Sequence, residues 1–119
     1  MSNFSFPKTH RLLNSHDFKQ VFDNAKIKVS NAEILILACR SQHPHPRLGL
    51  IIAKKNVRHA VQRNRIKRII RDGFRRQQHT LGAIDIIVLA KCGVDRLDNA
   101  QAHENLTKLW QKVAKKAAQ

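Results

Sequence analysis

The sequence predicts an α+β fold: a single-layer mixed sheet with helices packed on it, in the element order α-β-β-β-α-β-α. Three observations lead there. Apolar runs at 34–39, 48–53 and 84–90 are short and rich in branched residues, as buried strands are. Between the last two, Ile66, Ile69, Ile70 and Phe74 recur at helical spacing. A helix between two strands is a crossover, which makes those strands parallel, and the default hand of such a crossover is right-handed. With 119 residues, 42% of them hydrophobic, no repeat and no linker, a single domain over 1–119 is expected.

The elements follow in order. Ser15 can cap a short helix in which Phe18, Val21 and Phe22 share a face. Residues 26–30 alternate polar and apolar, as a half-exposed strand does. Ile34 to Cys39 reads as a buried strand, broken by His43-Pro44-His45-Pro46. The next strand, Leu48 to Ala53, is expected to pair with it antiparallel. Val57, Ala60 and Val61 fall out of phase with the isoleucine face. The regular helix is therefore expected to start near 59–62, after a turn that packs Val57 separately. Gly82 helps end the connection into the last strand, Ile84 to Ala90. Asp98 or Asn99 can cap a final helix with Ala102, Leu106, Leu109, Trp110 and Val113 on its apolar side.

Charge is concentrated in the long helix. Ten of the 23 lysines and arginines fall between Lys54 and Arg76, against one acid, Asp72. Arg65, Arg68, Arg71, Arg75 and Arg76 occupy the arc opposite the isoleucines, with Arg63 and Lys67 on the flanks. A solvated surface helix ordinarily mixes signs so that neighbours pair, and here Asp72 is the one internal partner available. Such density repels itself unless a polyanion neutralises it, and arginine's planar fork suits phosphate. Nothing resembles a helix-turn-helix, a zinc finger or a zipper. Aromatics are 5% of the chain, with no tyrosine, so a broad base-stacking sheet is not expected.

Other classes drop out. No stretch approaches the ~20 apolar residues of a membrane span. The first residues lack the pattern of a signal peptide, so a cytoplasmic location is expected. Cys39 and Cys92 stand alone and read as small buried thiols, and no Cys/His spacing suits a protein-held metal. Self-contained nuclease chemistry needs converging carboxylates, and the eight acids are scattered; Asp95 and Asp98 read better as a helix cap. No catalytic residue is assigned.

Residues 54–68 read K-K-N-V-R-H-A-V-Q-R-N-R-I-K-R, residues 6–22 read F-P-K-T-H-R-L-L-N-S-H-D-F-K-Q-V-F, and residues 88–94 read V-L-A-K-C-G-V. In this order, spanning nearly the whole chain, they resemble the bacterial ribonuclease P protein subunit family. The resemblance implies a ribosomal-protein-like α-β sandwich with a left-handed βαβ crossover, in place of the right-handed default. It implies an RNA partner, the ribonuclease P RNA subunit, which carries the catalytic centre and holds most of the Mg2+. The substrate would be precursor tRNA, whose 5′ leader is removed, and no obligate protein partner is evident.

By the same resemblance, Lys54, Lys55, Arg63, Asn64, Arg65, Lys67, Arg68 and Arg71 would face the RNA subunit. Phe18, Phe22 and Lys91 would line the cleft that takes the leader, and Arg11 can also approach RNA. The chain departs from the family pattern in three places. Leu37 stands where other members carry an aromatic. Asn56-Val57-Arg58-His59 replaces a glycine-containing turn, and Cys92 follows Lys91 where some relatives have a second basic residue. Composition alone does not exclude a binding module with no enzyme attached, such as a ribosomal protein or an RNA chaperone; the paired signatures do most of the discrimination.

Overall fold

A computed structural model of the chain describes residues 15–118. Arg11 and the part of the aromatic segment before Ser15 lie outside the described residues. The elements are α1 (Ser15–Asn24), β1 (Ile27–Ser30), β2 (Ile34–Arg40), β3 (Arg47–Ile51), α2 (Ala60–Leu81), β4 (Ile84–Ala90) and α3 (Asn99–Ala117), with a 3-10 turn at Val94–Arg96 before α3. The predicted order is the observed one, and α2 begins where the phase break placed it. No helix among the described residues is long and apolar enough to cross a membrane.

The four strands form one mixed sheet in the order β1-β2-β4-β3. β3 runs parallel to β4, as the crossover required. The expected antiparallel pairing of β2 with β3 does not occur: β4 lies between them, antiparallel to β2 over seven residues. The reason is burial. β4 is buried along almost its whole length, on both faces, and such a strand must be covered on both sides and flanked by partners. The shorter β3 takes the edge, where its outer backbone groups can meet solvent.

Alternation along the strands divides the core. Ile34, Ile36 and Ala38 of β2 and Ile86, Val88 and Ala90 of β4 face α2 and α3, meeting Ile66, Ile70, Phe74, Leu109 and Trp110 in the main cluster. Each isoleucine, leucine, valine or phenylalanine among them, fully buried, contributes roughly 1.5–3 kcal/mol. The opposite face carries a smaller cluster of Val21, Cys39 and Ile87, with Phe18, Leu37, Ile51 and Leu89 partly buried around it. α1 sits on this second face. Helices thus cover both sides of the sheet, and the α1 side is only partly covered.

Local chemistry fixes the junctions. Asn31 turns β1 into β2 by accepting from the Glu33 and Ile34 amides at 2.9 and 2.8 Å. Gly82 ends α2 at φ 76°, a conformation that side-chain-bearing residues rarely adopt. Asp98 caps α3 in a capping box with Gln101, as one of the two expected candidates. α2 and α3 approach closely at Gly73, where a Cβ would lie 2.8 Å from Trp110 Nε1. Trp110 in turn packs tilted against Phe74, with centroids 6.1 Å apart. Cys39 is buried as expected, whereas Cys92 is exposed, because it follows β4 in the turn that leads out of the sheet.

Candidate nucleic-acid interface

The basic helix begins with a built turn. After β3, Asn56 and Val57 donate their amides to the Ala53 carbonyl at 3.0 and 3.1 Å, and Val57 is fully buried. Asn56 Nδ2 donates to the Ala90 carbonyl at 3.0 Å, tying the turn to the end of β4. Lys54 and Lys55 are exposed on this turn. His59, the residue before α2, makes no side-chain cap. Arg63 instead reaches back and donates from Nη1 to the carbonyls of Val57 and Arg58, at 3.0 and 2.8 Å. The departure Asn56-Val57-Arg58-His59 is therefore a closed turn, held by Asn56 on one side and Arg63 on the other.

Arg65 is committed further still. Its Nε donates to Gln62 Oε1 at 2.8 Å and its Nη1 to Asn99 Oδ1 at 2.9 Å. Nη2 donates to the Asp95 and Leu97 carbonyls at 3.2 and 3.0 Å. Four hydrogen bonds from one guanidinium bind α2 to the segment that carries the chain from β4 into α3. The arginine arc is thus divided. Arg63 is spent on backbone carbonyls and Arg65 on two carbonyls and two side-chain oxygens, while Asn64 and Arg68 are exposed and Lys67 is half-buried. Arg71 is exposed too. Farther along, Asp72 pairs with Arg75 at 3.2 Å and with Arg76 at 3.4 Å, so the stripe is partly neutralised towards its C-terminal end. Val61, 77% exposed, stands on the same outward side as Asn64 and Arg68.

On the other face of the sheet, Phe18, Phe22, Lys19 and Ile51 line an apolar hollow of about 500 Å3. Phe22 is 45% exposed, far more than a core aromatic, and Phe18 is half-buried. Phe22 therefore does not sit in the core. Leu37 lies in the cluster beneath, an aliphatic where an aromatic could have offered a stacking surface. Lys91 donates from Nζ to the Asn31 carbonyl at 2.7 Å, and its backbone amide bonds the Glu33 carbonyl at 2.8 Å. That tether holds the ammonium at the mouth of the β1–β2 turn, with two of its three donors left over. The arginine face and the hollow lie on opposite sides of the sheet. Lys54, Lys55 and Lys91 follow the C-terminal ends of β3 and β4, and Lys91 is not among the residues that line the hollow.

A buried ion pair escaped the sequence reading. Arg47 donates to both carboxylate oxygens of Asp85, from Nε at 2.9 Å and from Nη2 at 2.8 Å, and Asp17 of α1 lies 3.8 Å from its Nη1. Asp85 holds the Arg47 pKa above its ordinary value, chiefly through that hydrogen bond, against the opposing effect of burial. Burial raises the neighbouring Cys39 thiol, and the Asp85 charge adds to the effect. The signal was present as a single acid inside the apolar run I-D-I-I-V-L-A, because a charge on a buried strand must find a partner. Arg65's partners around Asp95 to Asn99 carried no comparable signal.

Mg2+ has no ready place among the carboxylates. Asp17 and Asp85 sit on Arg47, Asp23 on Lys19, Asp72 on Arg75 and Arg76, and Glu104 on Lys108, while Asp98 caps α3. Among the described residues no three His, Cys, Asp or Glu side chains converge as metal ligands.

Comparison with known proteins agrees with this geometry. A family profile described as Ribonuclease P matches residues 6–114. The Ribonuclease P protein component of Chromohalobacter salexigens is 48% identical over 115 residues, covering 97% of this chain and 90% of that protein. That of Saccharophagus degradans is 52% identical over 114 residues, covering 96% and 84%. The solved structure of the Staphylococcus aureus RNase P protein superposes with a TM-score of 0.80 at 31% identity, covering 91% of this chain and 97% of that one.

Proposed function

The chain belongs to the ribonuclease P protein family, and we propose that it acts as the protein subunit of a ribonucleoprotein that removes the 5′ leader from precursor tRNA. In this reading the RNA subunit carries the catalytic centre and the Mg2+. The protein holds that RNA through the start of α2 and takes the single-stranded leader in the hollow beside α1. The observation that carries the reading is the two-sided construction of α2. Its isoleucine face is locked into the core, and its outward side presents Asn64, Lys67, Arg68 and Arg71 next to the Lys54-Lys55 turn.

The work of each group follows from its chemistry. Lysines and arginines replace counterions along the RNA backbone, so affinity falls steeply with salt. Exposed Phe22 and half-buried Phe18 offer a flat apolar surface on which unpaired bases stack, at about 1–3 kcal/mol per base. Lys91 supplies a further cation just after β4. Positioning the leader in this way draws the scissile bond towards metal held by RNA, and no step in the chemistry is assigned to a protein side chain.

The test is reconstitution. The purified chain is expected to leave precursor tRNA intact, and to restore leader cleavage when added to its RNA subunit at low magnesium. Phe18→Ala is expected to weaken binding of precursor tRNA more than that of mature tRNA, since only the precursor has a leader. Cleavage by the protein alone, or equal losses on both substrates, would overturn the assignment of roles.

A further inference from the structure

Few apolar contacts hold α1 on the sheet. It has ten residues, of which Val21 alone is fully buried, while Phe18 is half-buried against the same cluster. Apolar contact resists separation but has no direction, so it leaves a short helix free to roll about its axis. At about 100° per residue, Val21 stands about 40° from Asp17 around that axis, and Phe18 and Phe22 about 100° and 140° from it. Any roll therefore swings both rings relative to Ile51, the β3 residue that lines the hollow with them.

We propose that Arg47 is a positioning residue: held by Asp85 and paired with Asp17, it fixes the roll of α1 and with it the placing of Phe18 and Phe22. This rests on the functional reading above and adds to it a residue that touches no RNA. The mount is built across the sheet. Arg47 opens β3, and Asp85 is its register partner on the parallel β4. Its Nε and Nη2 donate to the two Asp85 oxygens at 2.9 and 2.8 Å, a bidentate contact that locks the plane of the guanidinium. The remaining nitrogen, Nη1, lies 3.8 Å from Asp17 Oδ2. A carboxylate facing a fixed fork has the direction that Val21 and Phe18 lack.

Burial and geometry suit the pair to this work. The Arg47 and Asp17 side chains are 14% and 19% exposed, against 73% and 58% for the Lys19–Asp23 pair on the same helix, so water and salt screen the inner pair less. Arg47 and Ile51 stand on one face of β3, four residues and roughly 13 Å apart. α1 is thus pinned at one end of the strand and presents its rings at the other. RNA that stacks on the rings in one roll only binds in proportion to the fraction of molecules in that roll. Losing the pair therefore reads as about threefold to fivefold in affinity for a precursor. Asp17 also stands in the first turn of α1, where an acid favours the helix whatever it pairs with, and the test has to separate the two roles.

Two variants are compared in the reconstituted holoenzyme. Asp17→Asn removes the charge on α1, and the double change Arg47→Leu, Asp85→Leu removes the mount while keeping the first-turn acid. Should the double variant not fold, Arg47→Lys takes its place, since a point charge cannot span both carboxylates. Each is expected to lose about threefold to fivefold on precursor tRNA and nothing on mature tRNA. In a Phe22→Ala background, where the ring to be positioned is gone, Asp17→Asn is expected to cost little more. A loss confined to Asp17→Asn would reduce its effect to the helix end and refute the proposal, as would losses that add in full to that of Phe22→Ala. A second readout needs no RNA. In NMR spectra of the free chain, the Ile51 methyl resonances sense the ring currents of Phe18 and Phe22. They are expected to move in Asp17→Asn while those of Ile86, in the main core, stay in place. Unmoved Ile51 methyls would overturn the proposal. If Phe22→Ala itself shows no precursor-specific loss, the functional reading fails, and the methyl shifts still decide whether Arg47 sets the roll of α1.

Discussion

Arg65→Lys separates what an arginine does for this fold from what it does for RNA. The four hydrogen bonds of Arg65 end on two side-chain amide oxygens and two backbone carbonyls, all near the surface. Water re-solvates part of what is lost, so about 0.5–1 kcal/mol per bond is the appropriate scale, or roughly 2–4 kcal/mol for Arg65→Ala. For a domain of this size that lowers Tm by about 8–16 °C. Lysine keeps the charge, but its ammonium is a point donor and cannot span four acceptors laid out for a planar fork. Arg65→Lys is therefore expected to lose most of the same stability, about 1–3 kcal/mol. The assay pairs thermal unfolding with the salt dependence of RNA-subunit binding. Arg68→Ala is expected to melt like the parent and to reduce the salt slope by about one phosphate contact. Arg65→Lys is expected to melt lower while keeping the parental slope. A parental melting temperature for Arg65→Lys, together with a reduced slope for Arg65→Ala, would refute the structural role and return Arg65 to the RNA face.

Two further outcomes are expected. Asp85→Ala leaves the Arg47 guanidinium half-buried without its bidentate partner and is expected to cost about 3–5 kcal/mol, read from the urea midpoint. The double change Arg47→Leu, Asp85→Leu should recover much of that loss, and failure to recover any would show the pair to be more than mutual compensation. For thiol labelling of the native chain, Cys92 is expected to react quickly and Cys39 slowly, because burial and the Asp85 charge raise the Cys39 pKa and thereby reduce its thiolate at any given pH. Its rate should keep rising with pH beyond the range in which an ordinary thiol levels off. Equal rates for the two thiols would contradict the buried position of Cys39.

Where hydrophobic period carried the information, the sequence was sufficient. The isoleucine face of α2, the phase break that isolates Val57, a cap at Asp98 or Asn99 and the apolar strand at 84–90 are all local patterns, and each element is found where it was expected in the chain. The crossover argument also made β3 and β4 parallel without knowledge of the rest. Strand order was different. Pairing β2 with β3 followed from their proximity in the chain, but adjacency in a sheet is a competition among strands, and burial on both faces favoured β4 as the inner partner.

The arginines of α2 make the same distinction at the site. Sequence alone determined that a dense cationic arc lies opposite an apolar face, because helical geometry fixes angles from residue numbers. It could not determine which guanidiniums are free to meet phosphate. Arg63 finds its acceptors five and six residues back in the preceding turn, and Arg65 finds most of its own some thirty residues ahead, before α3. Those acceptors are mostly backbone carbonyls, which every residue carries and no pattern of side chains reveals. Only the packing of α2 against the 3-10 turn and α3 brings them within reach, so the division of the arc into struts and RNA contacts was decided by the tertiary structure.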